Sequence, residues 1–103
     1  MFNAGDVVVA TVKLGDGGRE STRAAVVLFE EYDSVVVAGM TSSTFARGIP
    51  VTRREGAPRD GVIRLNYIFT VPRDSLSRPL FRLGREKRKV VLNELIKRLS
   101  GLE

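Results

Sequence analysis

Short apolar runs, rich in β-branched residues, alternate with polar turns from residue 7 to residue 83. Runs of this kind, bounded by glycine, proline and small polar residues, are typical of β-strands. Two of them are almost continuously apolar, which indicates strands buried on both faces of a small barrel. The pattern predicts strands at residues 7–14, 24–29, 35–40, 49–52, 62–71 and 80–83.

The polar segments between these strands differ in character. Residues 15–22 open with Gly-Asp-Gly-Gly and predict a flexible loop that ends at Arg23. Residues 41–44 read Thr-Ser-Ser-Thr and form a hydroxyl-rich turn directly after an apolar strand. Residues 53–59 contain a glycine and a proline and predict a loop.

The period of the apolar residues changes near Glu86. A set of five apolar residues then recurs at helical spacing on one face: Val91, Leu92, Leu95, Ile96 and Leu99. We expect a helix over residues 86–100 that ends at Gly101. The predicted fold is mostly β, a small barrel of about six short strands in one domain over residues 1–103. The sheet closes on itself, and the C-terminal helix packs against it.

The amino-acid composition limits the kinds of catalytic and metal-site chemistry that the chain can perform. The 103 residues suffice for one domain and include no cysteine and no histidine. This excludes disulfides, thiolate nucleophiles, imidazole acid–base chemistry and nearly every zinc site. We expect no cofactor. The sequence has no apolar stretch long enough to span a membrane, and its N-terminus lacks the order of a signal peptide. A cytoplasmic location is therefore expected.

The chain is basic, with a net charge of +5 and 13 arginines against four lysines. A basic balance rich in arginine favours an anionic partner, nucleic acid above all. Arginine codons of a high-GC genome would give the same composition. Five arginines, at positions 47, 53, 54, 59 and 64, can line an RNA groove or form a solvated face. Phe45 and Tyr67 can stack on bases or pack in the core.

Seven segments resemble one known family in order and spacing. They are residues 5–8 (Gly-Asp-Val-Val), 18–20 (Gly-Arg-Glu), 23–28 (Arg-Ala-Ala-Val-Val-Leu), 35–43, 45–47 (Phe-Ala-Arg), 61–66 (Gly-Val-Ile-Arg-Leu-Asn) and 93–99. Over almost its whole length the chain is similar to the MazF/PemK toxins of type II toxin–antitoxin systems. Three positions depart from the family pattern: Arg19 replaces a histidine, Ala24 a proline and Asn66 an aspartate.

The resemblance implies an SH3-like barrel that works as a homodimer. It also implies metal-independent, ribosome-independent cleavage of single-stranded RNA and a cognate antitoxin that neutralises the enzyme. In such cleavage the ribose 2′-hydroxyl attacks the adjacent phosphorus and expels the 5′-oxygen of the next nucleotide, which leaves a 2′,3′-cyclic phosphate and a 5′-hydroxyl. The reaction needs a proton acceptor, a proton donor and hydrogen-bond donors to the charge that grows on the phosphoryl oxygens.

Four residues are candidates for these catalytic roles. Arg23, between the predicted loop and a buried strand, would stabilise the phosphoryl charge. Thr41 would hold a phosphate oxygen from the hydroxyl-rich turn. Arg64 is a further cationic candidate, and Glu20 is the candidate acceptor of the 2′-proton. The candidate RNA-binding residues are Arg19, Ser42, Ser43, Arg47 and Asn66.

Simpler roles stand beside these assignments. Arg23 can form an ion pair with Glu20 or Glu30, Thr41 can bond local amides in an ordinary turn, and Arg64 can face solvent. Two other functions also remain open. One is a barrel that binds nucleic acid without cutting it, and the other is a toxin directed at DNA gyrase, as the similarly folded CcdB toxins are.

Overall fold

The computed structural model describes residues 1–14, 18–43 and 45–103. Across these residues the chain forms six β-strands, one α-helix and three single-turn 3-10 helices, at Arg53–Glu55, Arg73–Ser75 and Ser100–Leu102. The strands and helix are β1 (Asp6–Leu14), β2 (Arg19–Glu31), β3 (Ser34–Thr41), β4 (Ile49–Val51), β5 (Gly61–Pro72), β6 (Phe81–Arg82) and α1 (Arg85–Leu99).

One antiparallel sheet contains all of these strands, in the order β4-β5-β3-β2-β1-β6. The sheet curls into a half-barrel whose edges are β4 and β6. Pro50 lies in β4, where an edge position tolerates its missing N–H donor. The predicted fold class, mostly β with a C-terminal helix, is confirmed.

The hairpin formed by β1 and β2 is longer than its apolar pattern indicates. Leu14 pairs with Arg19 and Ala10 pairs with Arg23, so β2 begins at Arg19. The prediction of a flexible loop over residues 15–22 is therefore wrong for residues 19–22, and residues 15–17 lie outside the described part of the chain. Main-chain pairing with β1 makes this polar segment a strand, because a ladder needs no apolar side chains.

A break in register bends β5. Ile63 pairs with Met40 of β3, whereas Ile68 pairs with Ala38. Residues 64–67 thus lie opposite the single residue Gly39 and bulge out of the ladder. Bulges re-aim side chains and sharpen the local twist, so this bulge determines where Arg64, Asn66 and Tyr67 lie.

Both faces of the central strands are buried, as their continuous apolar runs predicted. On one face, Val7 and Val26 pack with Ile63 in a core that also contains Val91 of α1. The opposite face forms a second core, made of Val8, Ala10, Ala25, Val27, Val35 and Val37, which Phe2, Val12, Phe69 and Leu76 cover.

Truncation of Ile63 is expected to destabilise the fold strongly. Its side chain is fully buried, and Ile63 pairs with Met40 on one side and Ile49 on the other. Ile63→Ala should lower the free energy of unfolding by about 2–5 kcal/mol, because it leaves a cavity at this junction. Urea denaturation followed by circular dichroism measures the loss. Ile68→Ala removes the same atoms from a side chain that is 43% exposed, and an equal loss there would contradict the assigned core.

The predicted helix is confirmed, but only part of its apolar face packs against the sheet. Val91 is buried and Leu95 is partly buried, whereas Leu92, Ile96 and Leu99 are each 56% exposed. The contacts that anchor α1 lie in its first turn, where Lys87 Nζ donates to the Pro50 carbonyl at 2.7 Å and Arg88 Nη1 donates to the Leu83 carbonyl at 2.7 Å.

The C-terminal boundary of the helix differs from the prediction. α1 ends at Leu99, and the chain continues as a 3-10 turn through Leu102, so Gly101 lies inside this turn and does not end the helix. Within the described residues, no helix has the length and apolar character that a membrane span requires.

The segment between β4 and β5 covers part of the gap between the two edge strands. Gly56 packs against β6, since a Cβ there would lie 3.4 Å from the ring of Phe81. Glu55 Oε1 lies 3.3 Å from Lys87 Nζ of α1. Burial alone would raise the pKa of Glu55, but its hydrogen bonds with Thr52 and the charge of Lys87 outweigh burial and lower that pKa. These contacts place residues 57–61 beside the β2–β3 end of the sheet.

Candidate active site

A cleft of about 670 Å³ opens where β2 and β3 diverge. The last pair in their ladder is Ala25 with Gly39, and beyond it β2 stays paired with β1 while β3 stays paired with β5. Four segments supply most of the lining: residues 21–24, 40–42, 57–61 and 80–81. Val7 and Val9 of β1 complete it.

Arg23 and Thr41 both line this cleft. If the β2–β3 register continued past Ala25 and Gly39, these two residues would lie directly opposite each other. Arg23 is exposed and lies within β2, not at the end of a loop as the sequence suggested. Two rigid strands therefore carry the two residues to facing sides of one cleft.

The alternative ion pair of Arg23 with Glu30 is wrong. Glu30 accepts hydrogen bonds from the Phe2 amide at 2.9 Å and from Arg73 Nη2 at 2.6 Å. The Phe2 amide is the main cause that lowers the pKa of Glu30, and Arg73 adds to it. Among the described residues, none of the ion pairs includes Arg23.

The turn after β3 holds the hydroxyl of Thr41 in place. Thr41 Oγ1 accepts a hydrogen bond from the Ser43 backbone N–H at 3.1 Å, which is the ordinary turn contact that the sequence offered as an alternative. Because Oγ1 acts as an acceptor here, its own proton can be donated to a ligand in the cleft. Ser42 also lines the cleft, and Ser43 does not. Thr44 lies outside the described residues.

The far wall of the cleft contains two charged residues, Arg59, which was one of the five possible groove arginines, and Asp60, which was not among the site candidates. Arg59 and Asp60 both line the cleft. Asp60 Oδ1 accepts the Arg53 N–H at 2.9 Å, which leaves Oδ2 for another partner. The pairing of Thr41 with Val62 near the start of β5 brings the residues just before β5 next to Thr41. A correct pairing of these two strands would have indicated both residues from sequence.

Three other predicted residues come together elsewhere. Arg47, Arg64 and Asn66 line a second depression of about 530 Å³, together with Arg98 of α1. None of the residues that line the second depression lines the cleft. Arg64 therefore does not share the cleft with Arg23, and the catalytic candidates are divided between two places.

The remaining candidates line neither depression. Arg19 and Glu20 lie at the start of β2, and Glu20 stands opposite Lys13 in the ladder with β1. Glu20 lies three residues before Arg23 along β2 and is not among the residues that line the cleft. The proposed contact of the Glu20 carboxylate with the scissile ribose therefore lacks geometric support within one chain.

The two aromatic candidates are both exposed. Phe45 is 98% exposed, so the interpretation of Phe45 as a core residue is wrong. Tyr67 is 42% exposed, and its ring lies 5.4 Å from the guanidinium carbon of Arg23. The ring centroid of Tyr67 is also 5.6 Å from that of Phe69, in an edge-to-face arrangement.

Positive charge dominates both depressions. The ion pairs among the described residues are Arg73–Glu30, Lys87–Glu55, Lys97–Glu94 and Arg98–Glu94. Of the arginines that line the cleft or the second depression, only Arg98 belongs to this set. Charged guanidinium groups without a carboxylate partner suit a phosphate ligand. In the described part of the chain no three acidic side chains gather into a group that could hold a metal ion.

Comparison with known proteins identifies the family. The family model described as the PemK-like, MazF-like toxin of type II toxin–antitoxin systems matches residues 3–99. A search of curated proteins finds no significant match. The matched segment contains all six strands of the sheet and the whole of α1. The chain belongs to the PemK-like, MazF-like toxins of type II toxin–antitoxin systems.

Proposed function

We propose that this toxin is an endoribonuclease that cleaves single-stranded RNA through attack of the ribose 2′-hydroxyl. The main support for the proposal is that Arg23 and Thr41 line the same cleft. In addition, no described carboxylate forms an ion pair with Arg23. The family supports it, because toxins of this family are typically endoribonucleases. We expect the activity in the cytoplasm, because the proposed RNA substrate is present there.

The cleft supplies donors for the charge that develops in the reaction. The guanidinium of Arg23 and the hydroxyl proton of Thr41 can each donate to a non-bridging oxygen of a phosphate held between β2 and β3. Arg59 adds positive charge from the opposite wall. Fixed donors aimed at a developing oxyanion are usually the largest single contribution to such catalysis.

Among the described residues, Asp60 is the carboxylate that lines this cleft. Its Oδ1 is held by the Arg53 amide, so Oδ2 can accept the proton of the attacking 2′-hydroxyl. Asp60 therefore takes the role of proton acceptor for which Glu20 was the candidate from the sequence. Because the chain contains no histidine, Asp60 also supplies the proton acceptor that Arg23, Thr41 and Arg59 do not provide.

Cleavage products test the proposal directly. The purified protein is incubated with a mixed-sequence single-stranded RNA in the presence of EDTA, and the cut ends are mapped. We expect 5′-hydroxyl and 2′,3′-cyclic phosphate ends. Tight RNA binding without any cut would instead identify a binding module, and capture of DNA gyrase without RNA cleavage would identify a gyrase-directed toxin.

Loss of the Thr41 hydroxyl is expected to slow cleavage. Thr41→Val keeps the shape of the side chain but removes the donor to the phosphate, and also the acceptor for the Ser43 amide. We expect a roughly 10- to 100-fold lower rate, as for one hydrogen bond to a charged group. Thr70→Val, on an exposed position of β5 outside the cleft, is the matched control. Equal rates for the two variants would remove Thr41 from the site.

Partners also follow from the family. A type II toxin is neutralised by an antitoxin, and we expect this chain to have one and to work as a homodimer. The exposed row of Leu92, Ile96 and Leu99 on α1 supports a protein partner, since apolar side chains at this spacing form a continuous stripe. Sedimentation equilibrium of the purified chain distinguishes a dimer from a monomer.

A further inference from the structure

Tyr67 is the aromatic partner of Arg23. The guanidinium carbon lies over the ring, 5.4 Å from its centroid, within the range in which a cation is attracted to an aromatic face. Tyr67 comes from the bulge of β5 and does not line the cleft, whereas Arg23 does. The ring therefore contacts Arg23 from outside the proposed phosphate site.

Two neighbours hold the ring itself. Phe69 meets Tyr67 edge-to-face, at 5.6 Å between centroids and 72° between planes. Gly39 lies beneath it, and a Cβ at that position would come within 2.8 Å of Tyr67 Cδ1. The absence of a side chain at position 39 is therefore what allows the ring to lie against β3.

We infer that Tyr67 is a positioning residue, which holds the guanidinium of Arg23 at the cleft through the Gly39–Tyr67–Arg23 stack. The inference rests on the proposed RNA cleavage. An arginine with four rotatable bonds loses entropy when it is fixed on the phosphoryl oxygens in the transition state, and a ring that restrains it beforehand lowers that cost.

An aromatic ring suits this role better than a carboxylate would. A carboxylate would occupy the N–H donors of the guanidinium and neutralise its charge, and the phosphate would then have to displace it. The ring attracts the cation through its face and leaves the N–H donors for the phosphoryl oxygens. The ion pairs of the described residues fit this account, because none of them includes Arg23.

The inference is tested with Tyr67→Leu, Tyr67→Phe and Gly39→Ala. Single-turnover cleavage of a single-stranded RNA and its dissociation constant are measured for each. Tyr67→Leu and Gly39→Ala should lower the cleavage rate by roughly three- to tenfold at unchanged RNA affinity, and Tyr67→Phe should retain the wild-type rate. A wild-type rate for Tyr67→Leu, an equal loss in Tyr67→Phe, or a loss confined to affinity would overturn the inference.

A second readout does not depend on cleavage. The ring current of Tyr67 should shift the NMR signals of the Arg23 side-chain methylenes in the wild type and in Tyr67→Phe, and the shift should disappear in Tyr67→Leu. Identical shifts in all three proteins would overturn the contact. A wild-type protein that shows the shift but cuts no RNA would instead overturn the proposed function, so the two failures are distinguishable. If Gly39→Ala does not fold, the test depends on Tyr67→Leu and its comparison with Tyr67→Phe.

Discussion

Arg23→Ala is expected to lower the rate of RNA cleavage by roughly 10²- to 10³-fold while the fold is retained. Arg23 lines the cleft from within β2, and its charge is available to a phosphate because no described carboxylate pairs with it. The side chain is exposed, so its removal leaves no cavity in either core. Gel-based cleavage of a labelled RNA measures the rate, and thermal denaturation checks the fold.

The control for this variant removes the same charge elsewhere. Arg78 is an exposed arginine that lines neither depression, so Arg78→Ala should cleave at close to the wild-type rate. Arg23→Lys keeps the charge but loses the planar fork, and it should recover only part of the activity. Full activity in Arg23→Ala would remove Arg23 from the catalytic site.

Asp60→Asn is expected to lower the cleavage rate by roughly 10²-fold or more, the lower range for loss of a placed general base. The amide keeps the size of the side chain, and its oxygen can still accept the Arg53 N–H, so the turn before β5 is preserved. What disappears is the ability to take the 2′-proton. Single-turnover rates at saturating RNA separate this effect from weaker binding.

Asp74→Asn provides the matched control for the change at Asp60. Asp74 is exposed in the 3-10 turn after β5 and does not line the cleft. Its amide variant removes the same negative charge and should leave the rate unchanged. If Asp60→Asn also cleaves at the wild-type rate, Asp60 is not the proton acceptor.

The strands and the helix could be predicted because the spacing of buried apolar residues along the sequence follows the geometry of each element. Val7 and Val8, or Val26 and Val27, are neighbours buried on opposite faces, and such continuous runs indicated strands covered on both sides. The start of β2 at Arg19 could not be found in this way. That segment pairs through its backbone, and its side chains are mostly exposed polar groups.

The helix shows a second limit of prediction from the spacing of apolar residues. Spacing placed five apolar residues on one face of α1, but spacing does not say how much of that face meets the sheet. The helix is anchored through Lys87 and Arg88 in its first turn, and its later apolar residues are largely exposed. An exposed row of this kind fits the protein partner that we propose.

The site was predictable only in part, for a topological reason. Arg23 and Thr41 each stood out at the edge of an apolar run, and the structure brings them to one cleft. Arg59 and Asp60 join them through the antiparallel pairing of β3 with β5, a long-range contact that no local pattern reveals. The β5 bulge places Arg64 away from the cleft, since a bulge changes which residues face each other.

Attack by the ribose itself, on which the proposed function rests, is tested by removing the attacking oxygen. Once a cut site is mapped, the ribose on the 5′ side of that phosphodiester is replaced by 2′-deoxyribose in an otherwise unchanged RNA. We expect that this bond is no longer cut and that other sites in the same molecule are still cut. Cleavage of the 2′-deoxy bond at the original rate would contradict this expectation.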